Sequence, residues 1–252
     1  EQPEAPATAL SFGHVITPTR GHADFPALAL AASYFGEHRQ FQGVMFQRMR
    51  ELRGMNYGDY AYAEAFSQEG WSRFALTNIA RTRQHFSLWI RPVPNEDRHF
   101  AARITMYLLN EMLEKGLTPA QFEETRAFLN GYLYLQQQTD QRRLGTAIDD
   151  RFYGLSAPYA DGLRAAWAKL DAAGVNDALR RNIHPEALTV VVITPNAQAF
   201  VDAVLAETPS PKTYPAEKPA ALLEEDKVIE VLPLGFTREQ VEIIPSSTLF
   251  AR

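Results

Sequence analysis

Few side chains in this sequence have the type and spacing that hydrolytic chemistry requires. Six histidines are present: His14, His22, His38, His85, His99 and His184. A zinc site on a helix needs two histidines four residues apart, so that both face one way, together with a third ligand and a general base. No two of the six stand at that spacing, and Glu37-His38 lacks the upstream histidine that would complete a motif. Packing or surface roles are therefore expected for all six. Cysteine is absent, which removes disulfides, thiolate zinc sites and a cysteine nucleophile. There is no G-x-S-x-G elbow, kinase signature or glycine-rich phosphate loop. The carboxylate pairs Glu123-Glu124, Asp149-Asp150 and Glu224-Glu225 are adjacent in sequence. On a helix, neighbours point about 100° apart, so these read as solvated acids rather than shared ones.

One stretch stands out: Phe46-Gln47-Arg48-Met49-Arg50-Glu51-Leu52-Arg53-Gly54-Met55-Asn56-Tyr57. An apolar helix face leads into an arginine-rich end, a glycine stop and a strand that opens with tyrosine. By its own chemistry, the arginines complement the helix C-terminal dipole and Tyr57 is a strand residue.

The elements that would position this stretch form an α+β pattern. Thr8–Ile16 alternates as a half-buried strand, with Leu10, Phe12 and His14 on one face. Asp24 is expected to cap a helix that has Pro26 in its first turn and stops at Gly36. Val44–Leu52 reads as a shorter helix broken at Arg53-Gly54. Asn56–Ala65, Arg73–Ile79 and His85–Arg91 read as strands. Asn95 is expected to cap a helix through Phe100, Ile104, Leu108 and Met112 to Gly116. Thr118-Pro119-Ala120-Gln121 is a capping box with proline at the first helical position. Asp140 is expected to open a third helix ending near Gly154, and two shorter helices cover Gly162–Ala172 and Asn176–Ile183. Leu188–Thr194 is a continuous apolar run, which predicts a fully buried strand. A helix over Asn196–Ala206 then closes a domain spanning residues 1–206. Residues 207–221, with four prolines, read as an extended linker. The remainder, 222–252, reads as a tail with strand-like Val228–Leu232 and Val241–Ile244 that packs on the domain or on a partner. Short helices followed by antiparallel-capable strands indicate an antiparallel sheet packed against several helices, not a βαβ nucleotide fold.

Bulk properties narrow the partners. A net charge of −5 gives no footprint for nucleic acid or an anionic membrane. No apolar run approaches the roughly 18–20 residues that span a bilayer.

Phe46–Tyr57 resembles the F-x-x-x-R-E-x-R-G-L-x-Y-type segment in the C-terminal half of pitrilysin/insulinase zinc peptidases, including the processing-peptidase branch. The likeness extends along the chain in order. Pro3–Gly13 resembles the turn and strand that open that half, and Ala27–Gly36 its first helix. Thr118–Tyr134 resembles its T-x-x-E-L-x-x-A-K-x-x-L segment, and Leu188–Thr194 its buried strand, so that residues 3–206 are covered. Two departures stand out: Asn56 occupies a position where small residues are common, and Glu37-His38-Arg39 replaces a glycine-rich turn.

The resemblance implies the half-domain fold of those peptidases, in which two homologous halves close on each other. The zinc motif H-x-x-E-H belongs to the other half. This chain is accordingly expected to hold no catalytic residue and no metal of its own, to have no activity alone, and to meet zinc only in its partner half. The resemblance assigns substrate contacts to Arg50 and Tyr57, with Arg53 as a neighbouring basic position whose alternative role is to brace the helix end. A guanidinium and a phenol are donors that can hold a substrate carbonyl, or the oxyanion formed as zinc-bound water attacks. The implied partners are the H-x-x-E-H half and a peptide substrate. The implied setting is the bacterial periplasm or the exterior. The chain opens at Glu1, one strand short of the family's opening hairpin. A longer chain is therefore expected, with the zinc motif about 150–200 residues upstream, roughly one domain length. The competing expectations are a non-catalytic partner or scaffold subunit of a heterodimeric peptidase, and a stand-alone binding domain.

Overall fold

The computed structural model describes residues 1–37, 40–67 and 74–249. Its strands are β1 (Thr8–Ile16), β2 (Asp59–Tyr62), β3 (Gln84–Val93) and β4 (Thr189–Ile193). They form one antiparallel sheet in the order β2-β3-β1-β4. The register sets Phe12 opposite Leu88 and Val190, and Ala61 opposite Leu88. Period-two alternation then sends Leu10, Phe12, Phe86, Leu88 and Ile90 to the face that carries the core. The helices of that core are α1 (Phe25–Gly36), α2 (Arg98–Lys115), α3 (Pro119–Gln136), α5 (Tyr159–Trp167) and α6 (Ala172–Asn182). The expected α+β architecture is therefore the observed one.

Local details differ from the sequence reading in instructive ways. Thr118 forms its capping box with Gln121, and Thr139, not Asp140, caps α4 (Asp140–Phe152). Asp24 makes no side-chain cap. Its carboxylate instead accepts hydrogen bonds from Arg181 at 2.7 Å and Asn182 at 2.9 Å, tying the start of α1 to α6. Asn95 opens a single 3-10 turn, and its side chain accepts from Thr8 rather than from a helix amide. Leu188–Thr194 is not fully buried. β4 is an edge strand, and Val191 and Ile193 are more than half exposed while Val190 and Val192 face the core side. Residues 74–79 form no strand, and the start of that expected segment lies outside the described residues, as do His38 and Arg39.

The end of α1 abuts β2. A side chain at Gly36 would place its Cβ 2.8 Å from the Ala61 amide nitrogen, so only glycine allows this approach. Residues 46–51 also contact β2, an edge strand of the sheet.

The C-terminal segment also differs from expectation. Residues 220–229 form a helix, α8 (Ala220–Ile229), where a strand was expected to begin at Val228. Ile229 enters the core at zero exposure. After α7 (Ala197–Leu205), residues 207–232 are anchored on the fully buried Arg103 of α2. Its guanidinium donates to the carbonyls of Thr208 (2.8 Å), Leu232 (2.9 Å) and Glu230, to Ser210 Oγ (2.9 Å) and to Glu207 (3.2 Å).

Truncating Arg103 would leave a void at a fully buried position and remove the donor that ties these acceptors together. Arg103→Ala is expected to cost about 3 kcal/mol or more in denaturant unfolding and to open residues 207–249 to limited proteolysis before the sheet. An unchanged unfolding midpoint would contradict this role.

Candidate substrate-contact site

Residues 46–51 form one turn of π-helix that buries Phe46 and Met49 against the core. Gly54 ends it with a positive φ of 63°, its amide donating to the Arg50 carbonyl at 2.7 Å. This is the left-handed stop that favours glycine. The expected helix over Val44–Leu52 is therefore present, helical from Val44 to Glu51 with its last six residues π-helical and Arg50 near its end.

Arg50 and Tyr57, seven residues apart in sequence, lie together in space. The Arg50 guanidinium carbon is 6.0 Å from the Tyr57 ring centroid and 4.6 Å from that of Phe46. These two aromatic contacts steady the cation without using its hydrogen-bonding fork. Its nearest carboxylate, Glu51, stands at 3.7 Å on the surface and binds weakly. Tyr57 is 83% exposed, an unusual position for a tyrosine that leads into a strand whose residues are all buried. The pair offers a guanidinium and a phenol side by side to the exterior.

Tyr57 is held by its neighbours rather than by its own contacts. Asn56 Oδ1 accepts from the Gly58 amide at 2.9 Å, and Asn56 Nδ2 donates to Asp59 at 2.6 Å and to the Arg91 carbonyl at 3.0 Å. The Asn56 side chain therefore fixes the turn that projects Tyr57. Asn56 and Asp59 were missed as contributors to the site. The Asn-x-Gly spacing was the available signal for an Asx-type turn.

Arg53 has a fully buried side chain, and each of its guanidinium nitrogens is engaged: Nε with Asp226 at 2.8 Å, Nη2 with Glu225 at 2.6 Å and Nη1 with the Arg48 carbonyl at 2.9 Å. It braces the helix end.

Among the described histidines, His14 and His184 lie side by side, with ring centroids 5.9 Å apart. His14 Nε2 accepts from the His184 amide at 3.2 Å, and burial lowers its pKa. His99 packs against Phe200, and burial pulls its pKa down to about 4. Among the described residues no group of three histidine or acidic side chains is placed to hold a metal. A cavity of about 140 Å³ lies between α1, α3, α5 and β2, lined by Ala29, Ala61, Leu129 and Trp167. Neither Arg50 nor Tyr57 lines it. The candidate site is thus an open pair of donors rather than a pocket.

With this geometry in hand, the fold can be compared with known proteins. No family model matches the sequence, and no curated protein matches it. Solved structures do. The peptidase M16 inactive domain from Pseudomonas fluorescens matches with a TM-score of 0.62 and 17% identity over 77% of this chain and 42% of that one. A protease from Helicobacter pylori matches at 0.59 and 11% identity over 77% and 43%. The inactive peptidase domain of a candidate zinc protease from Bordetella parapertussis matches at 0.52 and 17% identity, over 77% of this chain and 96% of that one. This chain therefore has the fold of the inactive, non-zinc domains of M16 (pitrilysin/insulinase-type) peptidases, as its sequence resemblance implied. It spans about two-fifths of the length of the first two of these relatives.

Asp59 gives the site a pH dependence. Burial pushes its carboxyl up to about 7, against the Asn56 hydrogen bond and the Arg91 backbone and charge, which favour ionisation. A carboxyl raised in the folded state stabilises the fold fully below its ordinary value of 3.8 and loses that contribution as pH rises through about 7. Burial also raises Glu37 to about 7, but that titration is common to wild type and an Asp59 variant and cancels in their difference. Thermal melts of Asp59→Asn and wild type should therefore diverge in the variant's favour between pH 4 and pH 8. Melting curves that stay parallel across this range would show that Asp59 does not titrate there.

Proposed function

We propose that this chain is the non-zinc half of a zinc-dependent endopeptidase. It closes over a catalytic half that carries H-x-x-E-H and holds the peptide substrate through Arg50 and Tyr57. One observation carries the reading: on an inactive-domain fold, the structure brings these two donors to one exposed spot, with Phe46 and the Asn56 turn steadying them. The chemistry asked of them is modest. Zinc in the partner half would activate the water. The guanidinium and phenol would hold the substrate carbonyl, and more strongly the oxyanion that develops from it.

The partner half sits either on the same precursor or on a separate subunit. The fold occupies about two-fifths of one neighbour's chain and nearly all of another's. The resemblance extends the proposal to a bacterial periplasmic or exported setting. Among the described residues no helix is long and apolar enough to cross a membrane.

The test is reconstitution: the chain is combined with an H-x-x-E-H half and peptide cleavage is followed. Arg50→Ala is expected to lower kcat/KM by roughly a hundredfold, the loss typical of one oxyanion donor. Tyr57→Phe should lose a smaller factor, because the ring that faces Arg50 remains. Full activity in both variants would refute the assignment. No cleavage by any combination would favour a stand-alone binding domain.

A further inference from the structure

Arg50 is flanked by Arg48 and Arg53, which enter a partly buried ionic cluster with carboxylates from the far end of the chain. Arg53, fully buried, bonds Asp226 at 2.8 Å and Glu225 at 2.6 Å, both on α8. Arg48 bonds Glu225 and, at 3.1 Å, Glu111 of α2. Asp226 accepts a further hydrogen bond from Tyr214 at 2.6 Å, and Tyr107 reaches Glu225 at 3.4 Å. Lys218 donates to the Leu52 carbonyl at 2.6 Å, covering the open end of the π-helical turn. The contacts made by Arg48, Leu52 and Arg53 fall within three residues of Arg50, while Arg50 itself makes none of them.

We infer that Glu225 and Asp226 are positioning residues for the Arg50–Tyr57 pair, so that α8 acts as a strap which sets the angle of the substrate contact. This rests on the reading of that pair given above. A helical segment of six residues has little stability of its own, so its orientation is set by what it packs on and what ties its ends. Phe46 and Met49 anchor the underside. Glu225 and Asp226 tie Arg48 and Arg53 on either side of Arg50. The buried Arg53 and the half-buried Arg48, facing three carboxylates, Glu111, Glu225 and Asp226, form a set in which each member needs the others. Neutralising the two on α8 leaves the Arg53 charge buried without a counter-ion, facing neutral acceptors and the Arg48 carbonyl. A displacement of about 1 Å at Arg50 would be enough to cost activity.

The test compares Glu225→Gln/Asp226→Asn with a control, Glu224→Gln, whose carboxylate is exposed and pairs only with Lys227. Hydrogen exchange on this chain should show amides 47–55 opening about tenfold faster in the double variant, with the β1–β3 ladder and the control unchanged. In the reconstituted peptidase the double variant should lose about tenfold in kcat/KM, divided between kcat and KM as for Arg50→Ala. On an Arg50→Ala background the same change should cost less than about twofold more. Should the double variant fail to fold, Lys218→Ala loosens the same helix end from the surface and should raise exchange at residues 50–54. Unchanged exchange at 47–55, or losses that add independently of Arg50, would overturn the inference. If Arg50→Ala itself leaves cleavage intact, the reading of the site has failed, and the exchange result alone decides whether α8 holds this helix end.

Discussion

A guanidinium buried at zero exposure must be paired, and the pairing of Arg53 organises much of this structure. Its carboxylates lie 172 and 173 residues away on α8. The C-terminal segment must therefore return across α2 to reach it. Arg103 performs the same service further along, collecting three backbone carbonyls, a serine hydroxyl and a carboxylate from residues 207–232. Two arginines at zero exposure thus dock a segment that has little hydrophobic anchor beyond Leu222 and Ile229. The cost of leaving either unpaired exceeds the worth of most surface contacts.

This arrangement separates two jobs within one short stretch. Arg48 and Arg53 are spent on architecture, which frees Arg50 to face outward over Phe46 and beside Tyr57. Neighbouring arginines in sequence therefore differ in their partners: Arg48 and Arg53 bond the carboxylates of α8, and Arg50 packs on aromatic rings. On the proposed function, this is what a half without a metal can contribute: fixed donors, delivered at an angle, with the nucleophile supplied elsewhere. Placing donors in advance is worth more than adding them after the substrate binds, because no reorganisation remains when charge develops.

The fold was largely legible in the sequence where local chemistry decides structure. The Thr118 capping box, the Phe100–Met112 stripe and the alternation through Thr8–Ile16 all predicted the elements they form. Reading failed where tertiary context decides. Leu188–Thr194 has the composition of a central strand but lies at an edge, because its position in the sheet depends on pairing with β1 alone. Asp24 and Asn95 look like caps but are recruited by Arg181 and Thr8, which no local pattern reveals. The Arg50–Tyr57 pair was visible only through a family likeness. The same likeness extended to Arg53, whose buried partners are too distant in sequence to have been foreseen.

The central claim is that Tyr57 and Arg50 meet the substrate at the bond to be cleaved. The most direct measurement replaces Tyr57 with a photo-reactive phenylalanine analogue and irradiates the assembled peptidase with bound peptide. The account predicts a cross-link from position 57 to peptide residues adjoining the scissile bond, lost when Arg50→Ala is introduced. Normal cleavage by the assembly, with no cross-link from position 57 to the peptide, would contradict it.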